Sequence, residues 1–331
     1  MNRGLSEQFD VQVVCLVDGS RPAGQRRISD GLEVHEIPSS PEFSELDWNY
    51  YQRSGIPTTD VAFASAFSLN HDYVEKCRQL AKDADVIVAE QCFTFPLAKT
   101  LRTDIPVVYN SQNVEIDLKE QMFGPSDVRD ELLEWTREAE RSALSEAALT
   151  IYCSESDERR ALEVYALKNG LRRAVVENGT DTASIGYKPL AERRSIRASL
   201  GVPNGFCLFL GSWHEPNIEA CRDLFSIASK LPEVHFCVAG TVGEYFRENA
   251  AHIPENVLLI GRVSEAERLT LVQGASCALN PMSSGSGTNI KMLDYLAAGL
   301  PVLSTPTGAR GLEDIGDLFE IVPAVIKKLK E

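Results

Sequence analysis

The sequence predicts an α/β protein built from two parallel-sheet domains. Apolar runs of strand length, at residues 11–17, 85–90, 106–110, 206–210, 234–240 and 302–305, alternate with helical stretches. That alternation is the pattern of βαβ units. The 331 residues exceed one ordinary domain. Residues 182–204 carry Pro189, a polar helical piece and Gly201 before Pro203, the composition of a connection, and strands restart at Phe206. The domains are therefore expected at 1–181 and 182–331.

With 44% hydrophobic residues the chain can bury two cores, and its net charge of −15 argues against nucleic acid or an anionic membrane as partner. There is no signal peptide, lipidation motif or apolar run of ~20 residues, so the expectation is a cytoplasmic protein without a transmembrane segment. A peripheral station at the inner face of the membrane is the alternative. The eight cysteines form no C-x-x-C pair and the five histidines do not cluster with them. They read as buried reduced thiols, and no metal site is expected.

In the first domain, residues 11–17 read as a buried strand and 34–37 as a shorter one. Residues 38–60, rich in Pro, Ser, aromatics and acid, read as an irregular excursion. A helix is expected over 70–82, then strands at 85–90 and 106–110. Asp83 and Asp85 form a D-x-D pair, but a metal-binding D-x-D follows a strand and this one precedes it. It reads as a solvated helix end. Residues 109–115 leave a strand end, where ligands bind in doubly wound sheets, and enter an acidic helical region that runs to Ala148. Gln112 and Asn113 stand at that exit, and Asn113 and Glu115 are candidate caps of the helix. A strand at 149–154 and a strand with turn at 174–181 complete the domain.

In the second domain, the strand at 206–210 runs into Gly211, Ser212, His214 and Asn217, then a helix. Strands at 234–240 and 256–261 follow, the latter leading into Gly261, Arg262 and Val263. The organising stretch is 283–305. Gly285 and Gly287 let backbone amides approach a ligand without Cβ obstruction. Ser286 or Thr288 is expected to cap the next helix. Ile290, Met292, Leu293 and Leu296 make that helix apolar nearly all round, hence buried. Gly299 and Pro301 stop it. Thr288, Lys291 and Asp294 fall at i, i+3 and i+6, one polar stripe. Two readings stand side by side. One is a Lys291–Asp294 surface pair. The other is a nucleotide site, with loop amides, Asn289 and the helix N-terminus facing a diphosphate, Lys291 as a point charge and sole cation there, and Asp294 accepting from ribose hydroxyls.

This stretch resembles the donor site of family 4 (group 1) glycosyltransferases, retaining enzymes of the GT-B fold with two Rossmann-like domains facing a cleft. Residues 297–302 match "A-A-G-L-P-V". Asp294 and Ser286 stand where many members have paired glutamates. Gly285, Gly287 and Lys291 follow the branch with "G-x-G-x-x-x-K". Gln112 stands in the histidine position of "H-N-x-E"; it can hydrogen-bond a sugar but cannot titrate near neutral pH. Residues 178–181 are similar to "N-G-x-D". The loop at Gly211 carries Ser212, His214 and Asn217 in place of the family's Arg and Lys, which leaves the cationic work to Lys291 and Arg262. The resemblance covers roughly residues 5–320 and is strongest over 206–313. The family's opening strand and Gly-rich loop have no counterpart, and the closing segment is short.

The resemblance implies a hexosyltransferase-like enzyme that takes a nucleotide-diphosphate sugar as donor substrate and needs no cofactor or metal. The acceptor would be an unknown glycan, lipid-linked or small molecule. The implied donor-binding residues are Gly211, His214, Asn217, Gly261, Arg262, Val263, Ser286, Gly287, Thr288, Asn289, Lys291 and Asp294, with Lys291 and Gln112 catalytic. One alternative is a nucleotide-sugar epimerase of the same fold. Another is a degenerate module that binds nucleotide sugar without turnover, which Gln112 and Ser286 would favour.

Overall fold

The computed structural model describes residues 2–167, 170–202, 204–249, 252–285 and 287–321. The chain divides into two compact units, Met1–Val176 and Glu177–Glu331.

Unit 1 contains α1 (Asn2–Leu5), β1 (Val11–Val17), β2 (Gly24–Ser29), β3 (Leu32–Pro38), α2 (Pro41–Ser54), α3 (Thr59–Ala66), α4 (His71–Ala81) and β4 (Ile87–Glu90). It continues with α5 (Phe95–Leu101), β5 (Val107–Asn110), α6 (Glu115–Met122), α7 (Arg129–Glu146), β6 (Leu149–Tyr152), α8 (Glu155–Tyr165) and β7 (Arg173–Val175). Among the described residues the strands form two sheets, ordered β1-β3-β2 and β4-β5-β6-β7, parallel except for β2 on β3.

Several expectations for this unit are corrected. Residues 41–54 are helical, not irregular. The Ser40 Oγ accepts from the Phe43 N–H at 3.0 Å, and Pro41 sits in the first turn, where its missing N–H costs nothing. The hairpin strand β2 is an addition, and its exposed, charged sequence gave no apolar period. Strand β1 is only half-buried because it pairs on one side. Val11 donates to Gly31 O and Val17 O accepts from Ser39, so the odd residues face β3. On the other edge the Tyr73 hydroxyl donates to Val14 O at 3.1 Å. Strand β4 likewise pairs only with β5, and Val86 just before it and Val88 within it are each 47% exposed. Across both units the cysteines are all free, but Cys15 and Cys77 here and Cys277 of the second unit are partly exposed rather than buried.

The acidic region splits into α6 and α7, and neither Asn113 nor Glu115 caps α6. The Asn113 amide donates to Glu115 Oε1 at 3.2 Å. The cap comes from α7: Glu140 accepts from the Glu115 and Ile116 N–H groups at 2.7 and 3.0 Å, and from the Tyr165 hydroxyl at 2.6 Å. A carboxylate suits this position because it only accepts, and the two amides are orphan donors at a helix start.

Unit 2 contains α9 (Thr182–Ile185), α10 (Leu190–Ser199), β8 (Cys207–Leu210), α11 (Glu215–Ala228), β9 (Phe236–Ala239), α12 (Val242–Glu248) and β10 (Val257–Gly261). It continues with α13 (Glu265–Gly274), β11 (Cys277–Asn280), α14 (Ile290–Ala297), β12 (Val302–Ser304) and β13 (Glu320–Ile321). The described strands form one parallel sheet, ordered β10-β9-β8-β11-β12-β13. The pleat sends Phe209 and Leu279 toward Ile218 and Leu224 of α11, and Leu208 and Ala278 toward Met292 and Tyr295 of α14. Burial on both faces is why these strands are continuous apolar runs. Each large side chain so buried contributes about 1.5–3 kcal/mol. Helix α14 is not buried all round as expected: Ile290 is 50% exposed.

The buried cap yields a test. Burial, opposed by its hydrogen bonds, pushes the Glu140 carboxyl up to about 7, from an ordinary value of 4.5. A raised folded-state value means this group's contribution is complete below about 4.5 and is lost as pH rises through about 7. The stability of the parent minus that of Glu140→Gln should therefore fall across that window, read by urea unfolding at several pH values. Because Glu115 is also raised by burial, the variant's own slope should be shallower rather than absent. A parent-minus-variant difference flat with pH would remove Glu140 as the titrating group.

Candidate functional site

The candidate residues of unit 2 lie on loops at the carboxyl ends of the parallel strands, the usual ligand side of such sheets. After β8, Gly211 donates to Ala239 O at 3.0 Å and accepts from Val242 at 3.2 Å. Gly240 has φ of +105°, and a Cβ there would run into the Gly211 carbonyl. Glycine at 240 thus lets the ends of β8 and β9 close on each other. His214 is the extended residue before α11, and its side chain makes no capping bond. Trp213 donates its N–H to Thr241 Oγ1 at 2.7 Å, and its ring packs edge-on to Tyr245 at 5.4 Å.

Lys291 reaches from α14 to the end of β8. Its Nζ donates to Leu210 O and to Asn217 Oδ1, each at 3.1 Å, and lies 4.3 Å from the centre of the Phe209 ring. The Asn217 amide in turn donates to the Ser212 carbonyl at 3.1 Å. These partners are dipoles and a ring face, none of them a carboxylate. Desolvation therefore dominates, and the ammonium is pulled down to about 7.

The Lys291–Asp294 surface pair is not formed. Asp294 Oδ2 accepts from Arg268 Nη1 at 2.5 Å, and Asp294 Oδ1 accepts from the Thr180 hydroxyl. Arg268, from α13, is held again by Glu265 at 2.6 and 2.8 Å. The long lysine stem leans back along the helix toward β8, as helical side chains do, while the short aspartate meets the neighbouring helix.

Capping of α14 also differs from expectation. The residue at the cap is Asn289, which makes no side-chain cap bond; its amide donates to Gly308 O at 3.0 Å. The Thr288 Oγ1 is buried without a partner, and Ser286 lies outside the described residues. Gly285 and Gly287 have φ of +110° and +67°, backbone that favours glycine. Lys291 is not the sole cation here. Arg310, from the loop after β12, donates through Nε and Nη2 to Gly287 O at 3.3 and 3.1 Å. The strand-end rule, applied to β12 as to β8, would have found it.

At β10, the Arg262 N–H donates to Glu244 Oε1 at 3.2 Å and its side chain is exposed. Gly261 has φ of +85°, and Val263 packs on the core. Gln112 belongs to unit 1, after β5, where it donates to Glu90 Oε2 at 3.3 Å beside Asn110 at 2.8 Å. Gln91 next to them has φ of +69°, a strained backbone for a non-glycine residue. The structure thus joins Gly211, Asn217 and Lys291 through the end of β8 in one group, and gives Asp294 and Arg262 other partners. Among the described residues no cluster of three or more His, Cys, Asp or Glu could hold a metal, and no helix is long and apolar enough to cross a membrane.

Double-mutant cycles check the partner assignment. Asp294 and Arg268 should couple by roughly 1–2 kcal/mol in stability, whereas Asp294 and Lys291 should couple by about zero. Coupling confined to the second pair would restore the helix salt bridge.

Residues 205–323 match the family model described as "Glycosyl transferases group 1". The phosphatidyl-myo-inositol mannosyltransferase of Mycolicibacterium smegmatis is 27% identical over 176 residues, 51% of this chain. That match spans 43% of the relative's length. Among solved structures, sucrose-phosphate synthase from Thermosynechococcus elongatus superposes with a TM-score of 0.69 at 15% identity, covering 98% of this chain and 78% of that one. Anabaena HepE in complex with UDP-glucose gives 0.64 at 15% identity, covering 96% and 88%. At such identity the likeness shows the fold alone, the GT-B fold of two Rossmann-like parallel-sheet domains. The family match falls on the unit that carries the glycine loop, Lys291 and Asp294, so it is this unit that is similar to the group 1 glycosyltransferases.

Proposed function

We propose that the chain binds a nucleotide-diphosphate sugar on unit 2 and transfers the sugar to an acceptor, with retention at the anomeric carbon. The observation that carries this is the Lys291 ammonium, held by Leu210 O and Asn217 Oδ1 without a carboxylate partner. A lysine desolvated in this way has no structural ion pair to account for it, and a diphosphate would supply the missing charge. The α14 N-terminus lacks a side-chain cap and Arg310 stands at Gly287, so both add positive potential on the same loop. The comparison proteins support the substrate class: HepE was solved with UDP-glucose, and the mycobacterial relative is named a mannosyltransferase.

In this reading the departing diphosphate gathers negative charge as the glycosidic bond breaks. Lys291, the amides at Gly287 and beyond, and Arg310 oppose that charge. Asp294 presents a carboxylate fixed by Arg268 and Thr180, each of whose oxygens still has a lone pair for a ribose hydroxyl. Gly261, Arg262 and Val263 form the base side, and Gly211 and His214 line the diphosphate. The transferred group is a hexose and the acceptor a glycan, a lipid-linked or a small molecule. The charge is met by protein groups, so the reaction needs no divalent metal, and transfer should persist in EDTA. Loss of transfer in EDTA that Mn²⁺ restores would overturn the metal-free reading.

Lys291 supplies the direct test. At pH 8 its amine is mostly neutral in the empty site, given its value of about 7. UDP should draw it back to the ammonium form, so binding should take up a fraction of a proton, read by calorimetry in buffers of differing ionisation enthalpy. Lys291→Ala should abolish that uptake and lower kcat by on the order of 10²–10³, the usual loss for one preorganised electrostatic group. Lys291→Arg should recover only part of the rate, because a planar guanidinium is not a point charge. An alanine variant that transfers sugar at the parent rate would remove Lys291 from the site. Nucleotide-sugar binding with no transfer and no donor hydrolysis would favour a binding module instead.

A further inference from the structure

Cys207 opens β8 and Cys277 opens β11, and the two are register partners at the centre of the unit 2 sheet. Their sulfurs share a hydrogen bond at 3.0 Å. Neighbouring strands lie about 4.8 Å apart, and a disulfide spans Cα atoms roughly 4.4–6.8 Å apart, so the pair can close without moving the backbone. Strands β8 and β11 pair through only two residues each, Cys207 with Cys277 and Leu208 with Ala278, whereas β8 and β9 pair through four. This short seam joins the strand that leads to Gly211 with the strand that leads to the glycine loop before α14. Among the described residues no third His, Cys, Asp or Glu stands with the two thiols, so they do not make a metal site.

The two thiols differ in their surroundings. Cys207 is 4% exposed and packs in the apolar core, while Cys277 is partly exposed. Arg197 of α10 donates to Gly274 O and Ala275 O at 2.6 and 3.1 Å, which sets its guanidinium beside the start of β11. The hydrogen bond with Cys207, helped by the Arg197 charge and opposed by burial, holds the Cys277 thiol below its ordinary value. The same contact, with burial, pushes Cys207 up. Burial also pushes up the partly exposed thiols of unit 1, Cys15 and Cys77, the latter to about 11. The thiolate is the reactive form of cysteine, so Cys277 has both the access and the charge of an attacking thiol, and Cys207 stands within reach as the second. We propose that Cys207 and Cys277 are a reversible modification site, oxidised to a disulfide across the β8–β11 seam by a small disulfide of the glutathione class. The Cys277 thiolate attacks one sulfur of the oxidant, whose S–S bond breaks and releases one glutathione thiolate. Cys207 then gives its proton to solvent, its sulfur displaces the second glutathione from Cys277, and both released thiolates take up protons. Two protein thiols become one disulfide as one oxidant molecule becomes two thiols, and a dithiol reverses the exchange. The exchange does not depend on the donor site.

Oxidised glutathione added to the native full chain tests this, with the remaining thiols then blocked by N-ethylmaleimide after unfolding. The intact chain should lose the mass of two hydrogen atoms before blocking, and dithiothreitol should restore it. Peptide fragmentation should place the cross-link between Cys207 and Cys277, with Cys15 and Cys77 carrying maleimide. Circular dichroism should not change, because the pair closes within the native sheet. Cys207→Ala should stop at a glutathione adduct on Cys277, since no second thiol displaces it. Cys277→Ala should slow modification of Cys207 roughly tenfold or more, since the thiol left is buried and protonated. Should either variant fail to fold, the peptide map of the parent decides alone. The proposal is overturned if the native chain forms no Cys207–Cys277 cross-link, if the cross-link appears only in urea, or if Cys15 or Cys77 is oxidised ahead of the pair. A glutathione adduct on Cys277 of the parent that never resolves into the cross-link overturns it as well.

Discussion

One residue at the end of β8 ties the candidate site of unit 2 to its core. The Leu210 N–H donates to the Tyr295 hydroxyl at 2.9 Å, and the Leu210 carbonyl accepts from Lys291 Nζ at 3.1 Å. Lys291 and Tyr295 are four residues apart, on one face of α14. Helix α14 therefore holds both backbone groups of Leu210 from a single face, just before the chain turns through Gly211. Tyr295 is fully buried, so this anchor belongs to the core. The glycine loop before α14 and the loop after β8 are consequently positioned by one rigid element. Preorganisation of this kind is what an electrostatic site needs, since groups already in place cost no reorganisation during reaction.

How much the sequence revealed depends on how each strand is buried. In unit 2, strands covered on both faces give unbroken apolar runs, and the expected strands at 206–210, 234–240, 256–261 and 302–305 lie within a residue or two of β8, β9, β10 and β12. In unit 1 the signal is weaker. Strand β2 is charged and exposed along most of its length, so nothing in its pattern separates it from a loop. Helix α2 carries Trp48 and Tyr51 stacked on each other and exposed at 58% and 39%. Those aromatics, with the prolines around them, hid a helix whose real markers were Ser40, Pro41 and Gly55. Capping chemistry, not composition, marks this helix.

The site shows the same division between local and long-range information. Gly285, Gly287, Lys291 and Asp294 form a local pattern, and a sequence shows local patterns. Arg268 and Asn217 reach the same helix, and Arg310 the loop before it, from other elements, and only the fold brings them there. The Lys291–Asp294 pair, one of the two readings the helical spacing allowed, fails for this reason. Helical spacing puts two side chains near each other, but a partner on a neighbouring element wins when it offers a better geometry. Arg268 gives Asp294 a planar guanidinium that Glu265 already orients, and an ammonium on a flexible stem cannot match it. Glu140 is the counterpart in unit 1, a cap supplied from α7 where the sequence suggested only local ones.

The separation of the two charges on α14 has a chemical consequence that the helix spacing hid. Had Lys291 paired with Asp294, a nucleotide would have had to break an ion pair before meeting either group. As built, Asp294 is paired with Arg268 and oriented by it, while Lys291 is held by dipoles and burial pulls its ammonium down to about 7. The aspartate is thus prepared for hydroxyl donors, which need a fixed acceptor. In the proposed donor reading the lysine would meet an anion, whose charge favours its ammonium form. In that reading, a ligand with a diphosphate at one end and a ribose at the other would meet each group without leaving a partner of an existing ion pair unpaired in a low-dielectric site.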